Sequence, residues 1–298
     1  MSGFGVEVHD LTVRYGSTTA LDAVSFSLRP GVITGLLGRN GSGKTTALSV
    51  LAAFRRRTSG TVLVDGEDPW ENARVMSGTC LVRESGDVAP DRSLADTLGF
   101  LADRRPLFSR DLADSLLDRF ELDPAMRPDR LSRGKRSAFG VVVGLACRTP
   151  LTLLDEVHLG MDAPARYAFY DALLADWLEH PRTIVLSSHL IGEVERLLED
   201  VVVLDRGTVL TSSDADTLRS GGLTVTGAAE TVAAFVADRH VVARQQLGRT
   251  AQATVMDARA DDAERALRAG LEPGPVALQD LFVHLTDRPS AAPSEETR

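Results

Sequence analysis

The sequence predicts an α/β fold built on a parallel sheet, and three observations predict it. The run Gly38-Arg39-Asn40-Gly41-Ser42-Gly43-Lys44-Thr45 stands between a buried-strand run at 32–37 and a helix-like run at 46–52. A second apolar strand, Leu151–Glu156, ends in two carboxylates. Between and beyond these, short apolar strands alternate with helical stretches, the pattern of parallel strands joined by crossover helices.

The first stretch is a G-x-x-x-x-G-K-[ST] phosphate loop in its proper context of strand, turn and helix. Its glycines let backbone N–H groups close on phosphate oxygens without obstruction. The helix that follows offers about half a positive charge at its N-terminus. Lys44 is expected to reach the β- and γ-phosphates, and the Thr45 hydroxyl to sit on Mg²⁺. The chain holds 33 Lys and Arg residues, and only Lys44 and Lys135 are lysines, so a lysine in this loop is a departure from the arginine used elsewhere. A compact ammonium fits inside a ring of backbone amides where a planar guanidinium does not.

The elements follow in order. Residues 6–13 alternate as an edge strand, Tyr15-Gly16 is a turn, and residues 23–28 form a second alternating strand closed by Pro30-Gly31. After the loop and its helix come a basic run at Arg55-Arg56-Arg57, a strand at 60–66 and a short strand at Cys80–Arg83. Glu84–Arg92 is a polar loop. Ser93 and Asp96 form a capping box ahead of a helix carrying Leu94, Leu98 and Leu101. A second helix, 109–120, puts Leu112, Leu116, Leu117 and Phe120 on one face, so residues 93–148 form a helical subdomain inserted in the core. Leu131–Lys135 is a polar loop opening onto a helix through Cys147. Pro164–Glu179 is helical, Thr183–Ser187 a buried strand ended by Ser188-His189, and 201–210 a hairpin. Composition shifts at Ser220-Gly221-Gly222. Beyond it strands at 223–226, 241–247 and 251–256 mix with helices at 228–238, 260–269 and 278–286, a small α+β unit over 220–287. The tail 288–298, rich in Pro, Ser, Ala and Glu, is expected to be disordered.

Bulk properties narrow the class. A 43% hydrophobic fraction supports a sizeable core, and a net charge of −9 argues against a protein that coats nucleic acid. Cys80 and Cys147 lie in apolar surroundings without metal spacing and read as core residues in a reducing cytosol. The start of the chain lacks the pattern of a signal peptide, and no apolar run approaches the ~18 residues of a membrane span, so work at a membrane would need another chain's span.

Asp155-Glu156 supplies the second half of the chemistry. One carboxylate can hold Mg²⁺, directly or through water, and its neighbour can orient or deprotonate an attacking water. With these residues in place the chain, over residues 4–219, resembles the nucleotide-binding subunit of an ATP-binding cassette (ABC) transporter. The resemblance implies a P-loop NTPase core with an N-terminal antiparallel part, binding ATP and Mg²⁺ and hydrolysing the ATP. Gly38–Thr46 matches Walker A and Leu151–Glu156 matches Walker B. Asp155 would then support Mg²⁺ and Glu156 would be the general base. Tyr15 matches the aromatic residue that stacks on adenine. Asp162, in Gly160-Met161-Asp162, matches the D-loop, and His189 the switch histidine on the γ-phosphate. Leu131-Ser132-Arg133-Gly134-Lys135 matches the signature motif, whose Ser132 and Gly134 would contact ATP held by another copy.

The resemblance has departures. Glu84 stands where the family has a glutamine near the metal, Arg133 replaces a glycine, Lys135 replaces a glutamine, and Val157-His158 replaces Pro-Thr. The added charge of Arg133 and Lys135 is expected beside the neighbour's phosphates, favouring dimer closure. By resemblance the partners are a second copy of this chain and a separate transmembrane permease subunit, with no nucleic acid. The location would be cytoplasmic, on the inner face of the cell membrane, and the direction export. Leu98, Phe100 and Phe108 are candidates for the groove that receives the permease. Two other readings compete: a soluble ABC ATPase acting on ribosomes or DNA, and a weakly hydrolysing ATP sensor.

Overall fold

The computed structural model describes residues 3–84, 88–256, 258–259 and 261–286, so the tail expected to be disordered and part of the 84–92 loop lie outside the described residues. Its contacts divide the chain into two units, Met1–Ser213 and Asp214–Arg298.

The first unit opens with three antiparallel strands, β1 (Val6–Tyr15), β2 (Thr18–Leu28) and, after the loop strand, β4 (Ser59–Val64), in the order β2-β1-β4. β1 and β2 bury one face each and leave the other wet, as an antiparallel sheet can. The second sheet takes β3 (Ile33–Gly38), β5 (Thr79–Arg83), β6 (Leu151–Asp155), β7 (Thr183–Ser188), β8 (Asp200–Asp205) and β9 (Thr208–Asp214), ordered β5-β6-β7-β3-β8-β9. From β5 to β8 the pairing is parallel. Every residue of β3, β6 and β7 is buried, because parallel strands covered on both faces have no solvent side.

Helix α1 (Lys44–Leu51) follows β3 directly and packs Ala47, Leu48, Val50 and Leu51 into the core shared by the two sheets. A short helix, α2 (Ala73–Ser77), which the sequence reading did not expect, is capped by the Asn72 side chain and leads into β5. Then come α3 (Leu94–Arg104), α4 (Arg110–Arg119) and α5 (Arg133–Ala146). The expected capping box on α3 is half formed. Ser93 Oγ accepts from the Asp96 N–H at 3.0 Å, and the Asp96 carboxylate takes the Ser93 hydroxyl at 2.6 Å instead of the cap backbone. Leu98 is fully buried, so it belongs to the core and not to a docking groove. Its i+2 neighbour Phe100 points outward at 46% exposure, with Arg92 and Arg104 guanidinium groups over its ring.

Helix α6 (Ala163–Glu179) bridges β6 to β7, and α7 (Ile191–Val194) follows β7. Near its end α6 carries a buried charge cluster. Asp176 accepts from Arg148 at 2.7 and 3.0 Å and lies 2.8 Å from Arg182, whose side chain is almost entirely enclosed. Burial holds the Arg182 guanidinium below its ordinary range, and Asp176 opposes that shift.

The second unit starts six residues before the expected boundary. Asp214 caps α8 (Ala215–Ser220) by accepting from the Asp216 and Thr217 N–H groups, and α8 packs on the unit that follows it. The rest is β10 (Gly222–Ala228), α9 (Ala229–Phe235), β11 (Val241–Leu247), β12 (Thr250–Met256), α10 (Asp262–Arg268), β13 (Glu272–Gly274) and α11 (Leu278–Thr286). Its sheet runs β11-β12-β10-β13 and is antiparallel throughout. The short β13 and α8 escaped the sequence reading because three strand residues and six helical ones carry no readable period.

Replacing Asp176 with alanine strands two arginines, one of them fully enclosed. We expect Asp176→Ala to lose about 3–5 kcal/mol of stability, read from the shift of a urea denaturation curve.

Candidate functional site

The site begins where β3 ends. Gly43, with φ of 107°, turns the chain into α1, and a Cβ there would come within 2.6 Å of Leu21 Cδ2. This turn aims the Lys44 side chain back along the loop. Its ammonium donates to the Gly38 carbonyl at 2.7 Å and to the Arg39 carbonyl at 3.2 Å. It also lies 3.1 Å from Glu156 Oε1, both side chains being largely buried. That contact is an ion pair without hydrogen-bond alignment, for Oε1 has no aligned donor. Ser42 Oγ inside the same loop is buried and has no partner either.

Two strands away in the sheet, β6 delivers the carboxylates. The Ser187 hydroxyl, on β7, donates to Asp155 Oδ1 at 2.6 Å and accepts the Glu156 N–H at 3.0 Å. Glu156 leaves the strand at φ 51°, a left-handed conformation that costs energy in a non-glycine residue, and this turn sets its carboxylate towards Lys44. Its Oε2 meets two histidines: His189 Nδ1 at 3.0 Å and His158 Nε2 at 3.5 Å. His158 is fully buried, and Ser188 Oγ stands 3.2 Å from its Nε2. Burial, helped by the nearby His189, Arg166 and Lys44 charges, pushes His158 down to about 4, so it is neutral at physiological pH. The loop, Thr45, Thr46, Glu84, Arg133, Asp155 and Glu156 line one cleft of about 760 Å³.

A second cleft of about 730 Å³ lies between the start of α5 and the turn after β6. Ser132 caps α5 by accepting the Lys135 N–H at 3.3 Å, and Asp162 caps α6 by accepting the Ala165 N–H at 2.9 Å. Gly134 comes so close to the Gly160 backbone that a Cβ on it would sit 2.5 Å from the Gly160 carbonyl oxygen. Ser132, Gly134 and Asp162 all line this second cleft and not the first.

Residues 21–158 match the family pattern described as ABC transporter. The chain is 26% identical over 284 residues to the ABC transporter ATP-binding protein YtrB of Bacillus subtilis, covering 93% of this chain and 97% of that protein. It is 32% identical over 208 residues to the Nod factor export ATP-binding protein I of Ralstonia nicotianae, covering 68% of this chain and 64% of that one. Over residues 21–158 the chain carries an ABC transporter ATP-binding domain. A dimeric ATP-binding cassette, MJ0796, solved in a post-hydrolysis state with ADP and phosphate, shares the fold at a TM-score of 0.62 and 20% identity, over 70% of this chain and 98% of that one.

As an ABC ATPase, the chain binds and hydrolyses ATP to power transport. The sequence-expected residues fall into three groups. Gly41 to Thr46, Asn40, Glu84, Asp155 and Glu156 share the first cleft, with Gly38 and Arg39 holding Lys44 from behind. His189 joins them through Glu156. Ser132, Gly134 and Asp162 form the second cleft of the ABC domain. Tyr15 lines neither: it ends β1 half exposed, with the Arg55 guanidinium 3.9 Å from its ring centre. Arg133 is exposed and lines both clefts. Arg133 ion-pairs with Glu84 of its own chain, one departure from the family pattern neutralising the other. Lys135 is exposed, lines the second cleft and donates to the Glu121 carbonyl at 2.8 Å. Sequence reasoning missed the Arg166–Glu193 ion pair at 2.9 Å, which ties α6 to α7 behind His189, and the contact of His158 with Glu156.

A Gly134→Ala substitution forces the start of α5 away from the Gly160 turn. We expect it to cost about 1–3 kcal/mol in thermal unfolding and to lower ATP turnover about tenfold or more, measured by phosphate release, while single-chain ATP binding persists.

Proposed function

We propose that this chain is the ATPase subunit of an exporter whose membrane path is a separate permease chain, and that it works as a homodimer with two ATP molecules at the interface. Among the described residues no helix is long and apolar enough to cross a membrane, which fits a subunit that borrows its path. The export direction is supported by the Nod factor relative, whose own name includes export.

The observation that carries the reading is the Lys44–Glu156 contact at 3.1 Å on the wall of a cleft that Thr45 and Asp155 also line. A buried ammonium without a phosphate takes the nearest anions available, here two carbonyls and a carboxylate. A triphosphate in the loop offers that ammonium more negative charge than Glu156 does, and the loop N–H groups and the α1 N-terminus add to its binding. Lys44 then moves to the β- and γ-phosphates, and Glu156 Oε1 is released to accept a proton from the attacking water. His189, on Oε2, orients Glu156 and faces the γ-phosphate. Tyr15 stacks on adenine.

The donor set fits Mg²⁺: Thr45, Asp155 and Glu84 are oxygen donors lining one cleft, and Asp155 keeps Oδ2 free of the Ser187 bond. Among the described residues no cluster of three or more His, Cys, Asp or Glu side chains forms a ready cage, as suits an ion that keeps waters and phosphate oxygens in its shell. When bound, Mg²⁺ would neutralise charge on the phosphates.

Ser132 and Gly134 of one copy cover the ATP gripped by the other, with the α5 N-terminus aimed at it, so the site is complete only in the dimer. Closure needs binding alone, and hydrolysis reopens it.

Purified protein tests this. Wild type should release phosphate from MgATP, and Glu156→Gln should lose about a hundredfold or more in turnover while eluting as an ATP-dependent dimer on size exclusion. Absence of turnover in wild type would favour the ATP-sensor reading. Turnover in Glu156→Gln equal to wild type would remove Glu156 from the role of base.

A further inference from the structure

Position 158 departs from the family pattern, and the side chain found there reaches the reacting carboxylate. His158 is fully buried at the turn after β6, behind Glu156 as seen from the cleft, and it does not line that cleft. Its Nε2 lies 3.2 Å from Ser188 Oγ and 3.5 Å from Glu156 Oε2. Its other ring nitrogen, Nδ1, is buried with no partner.

The unpartnered nitrogen selects the tautomer. A buried N–H without an acceptor loses a strong donor interaction, whereas an sp² lone pair without a donor loses less. The proton therefore sits on Nε2, where it faces two oxygens. Ser188 Oγ already accepts the Leu190 N–H at 2.8 Å, which fixes the hydroxyl oxygen in place. The Nε2–H thus takes the fixed Ser188 hydroxyl as its hydrogen-bond acceptor, and Glu156 Oε2 lies 3.5 Å from the same nitrogen, a polar contact without hydrogen-bond alignment.

The two histidines act on the same oxygen from different elements. His189 Nδ1 approaches Oε2 from the start of the segment after β7, and His158 from the turn after β6. Among the described residues the opposite oxygen, Oε1, has one charged partner, Lys44, at 3.1 Å. A carboxylate held by one edge has one orientation, and the free edge is the one that faces the loop.

We propose that His158 is a positioning residue for ATP hydrolysis, whose Nε2–H holds the Oε2 edge of Glu156 so that Oε1 is presented to the attacking water. This rests on the reading of Glu156 as general base. It adds a donor without adding a charge, so the carboxylate is steered and remains a base. The Tyr170 ring, 6.5 Å from the imidazole and itself fully buried, backs the ring from the α6 side, and its hydroxyl is tied to Glu193 at 3.3 Å.

The test compares His158→Leu, which removes the donor, with His158→Gln, which returns an N–H near the position of Nε2. Steady-state MgATP turnover and equilibrium ATP binding are measured on full-length protein, with thermal melting to establish folding. We expect His158→Leu to lower kcat about tenfold with KM and ATP affinity within about twofold of wild type, and His158→Gln to recover most of the loss. If His158→Leu does not fold, His158→Asn serves, because its amide reaches only the Nδ1 position. Wild-type kcat in the donor-free variant overturns the proposal, and so does an equal loss in the Leu and Gln variants, which would assign the effect to volume. Glu156→Gln is assayed alongside. A dead Glu156→Gln with a fully active His158→Leu overturns this inference alone, whereas an active Glu156→Gln overturns both it and the assignment of the base.

Discussion

Parallel pairing of β6 with β7 and of β7 with β3 is the constraint on which the site depends. Leu154 and Asp155 lie level with Leu186 and Ser187, and Leu36 and Leu37 with Ser187 and Ser188. Three strands that run the same way end at the same edge, so their following turns converge without further design. The phosphate loop, the two carboxylates and His189 are neighbours because of that register. A slip of one residue would turn each of those side chains to the other face of the sheet. The fully buried faces of these strands fix the register, since there is no solvent side on which an alternative could be accommodated.

Within that edge, charges are balanced in pairs. The Lys44 ammonium has Glu156, Glu84 has Arg133, and Glu193 has Arg166. A buried charge without a partner costs several kcal/mol, so enclosed groups such as Lys44 are held by whatever opposite charge is near. The exposed Glu84–Arg133 pair is different. Water screens it, its strength is modest, and it is easily exchanged for another partner. The buried pair holds the core of the site in place and the exposed one joins its rim.

Much of this was legible in the sequence because it is local. The phosphate loop announces itself by glycine spacing and a flanking strand and helix, and Asp155-Glu156 by an apolar run that stops in acid. The strands of both units, the three-residue β13 apart, and the helices from 94 to 146 followed from apolar periodicity. Leu98 was misread because a helix with apolar residues every three or four positions does not say which of them meets the core and which meets solvent. The Arg133–Glu84 pair was not legible for a deeper reason: the two residues are 49 apart, and no spacing rule joins them. His158 fell in the same gap, since a histidine three residues after an aspartate gains meaning only when Ser188 arrives from the neighbouring strand.

The approach of Gly134 to Gly160 has a mechanical side. With no side chain on either residue, the first turn of α5 and the turn after β6 meet backbone to backbone, and nothing compressible lies between them. Such a joint has little play. A displacement of the chain just beyond the two carboxylates is passed to the whole fourteen-residue length of α5 as one stiff lever, where interposed rotamers would have absorbed it.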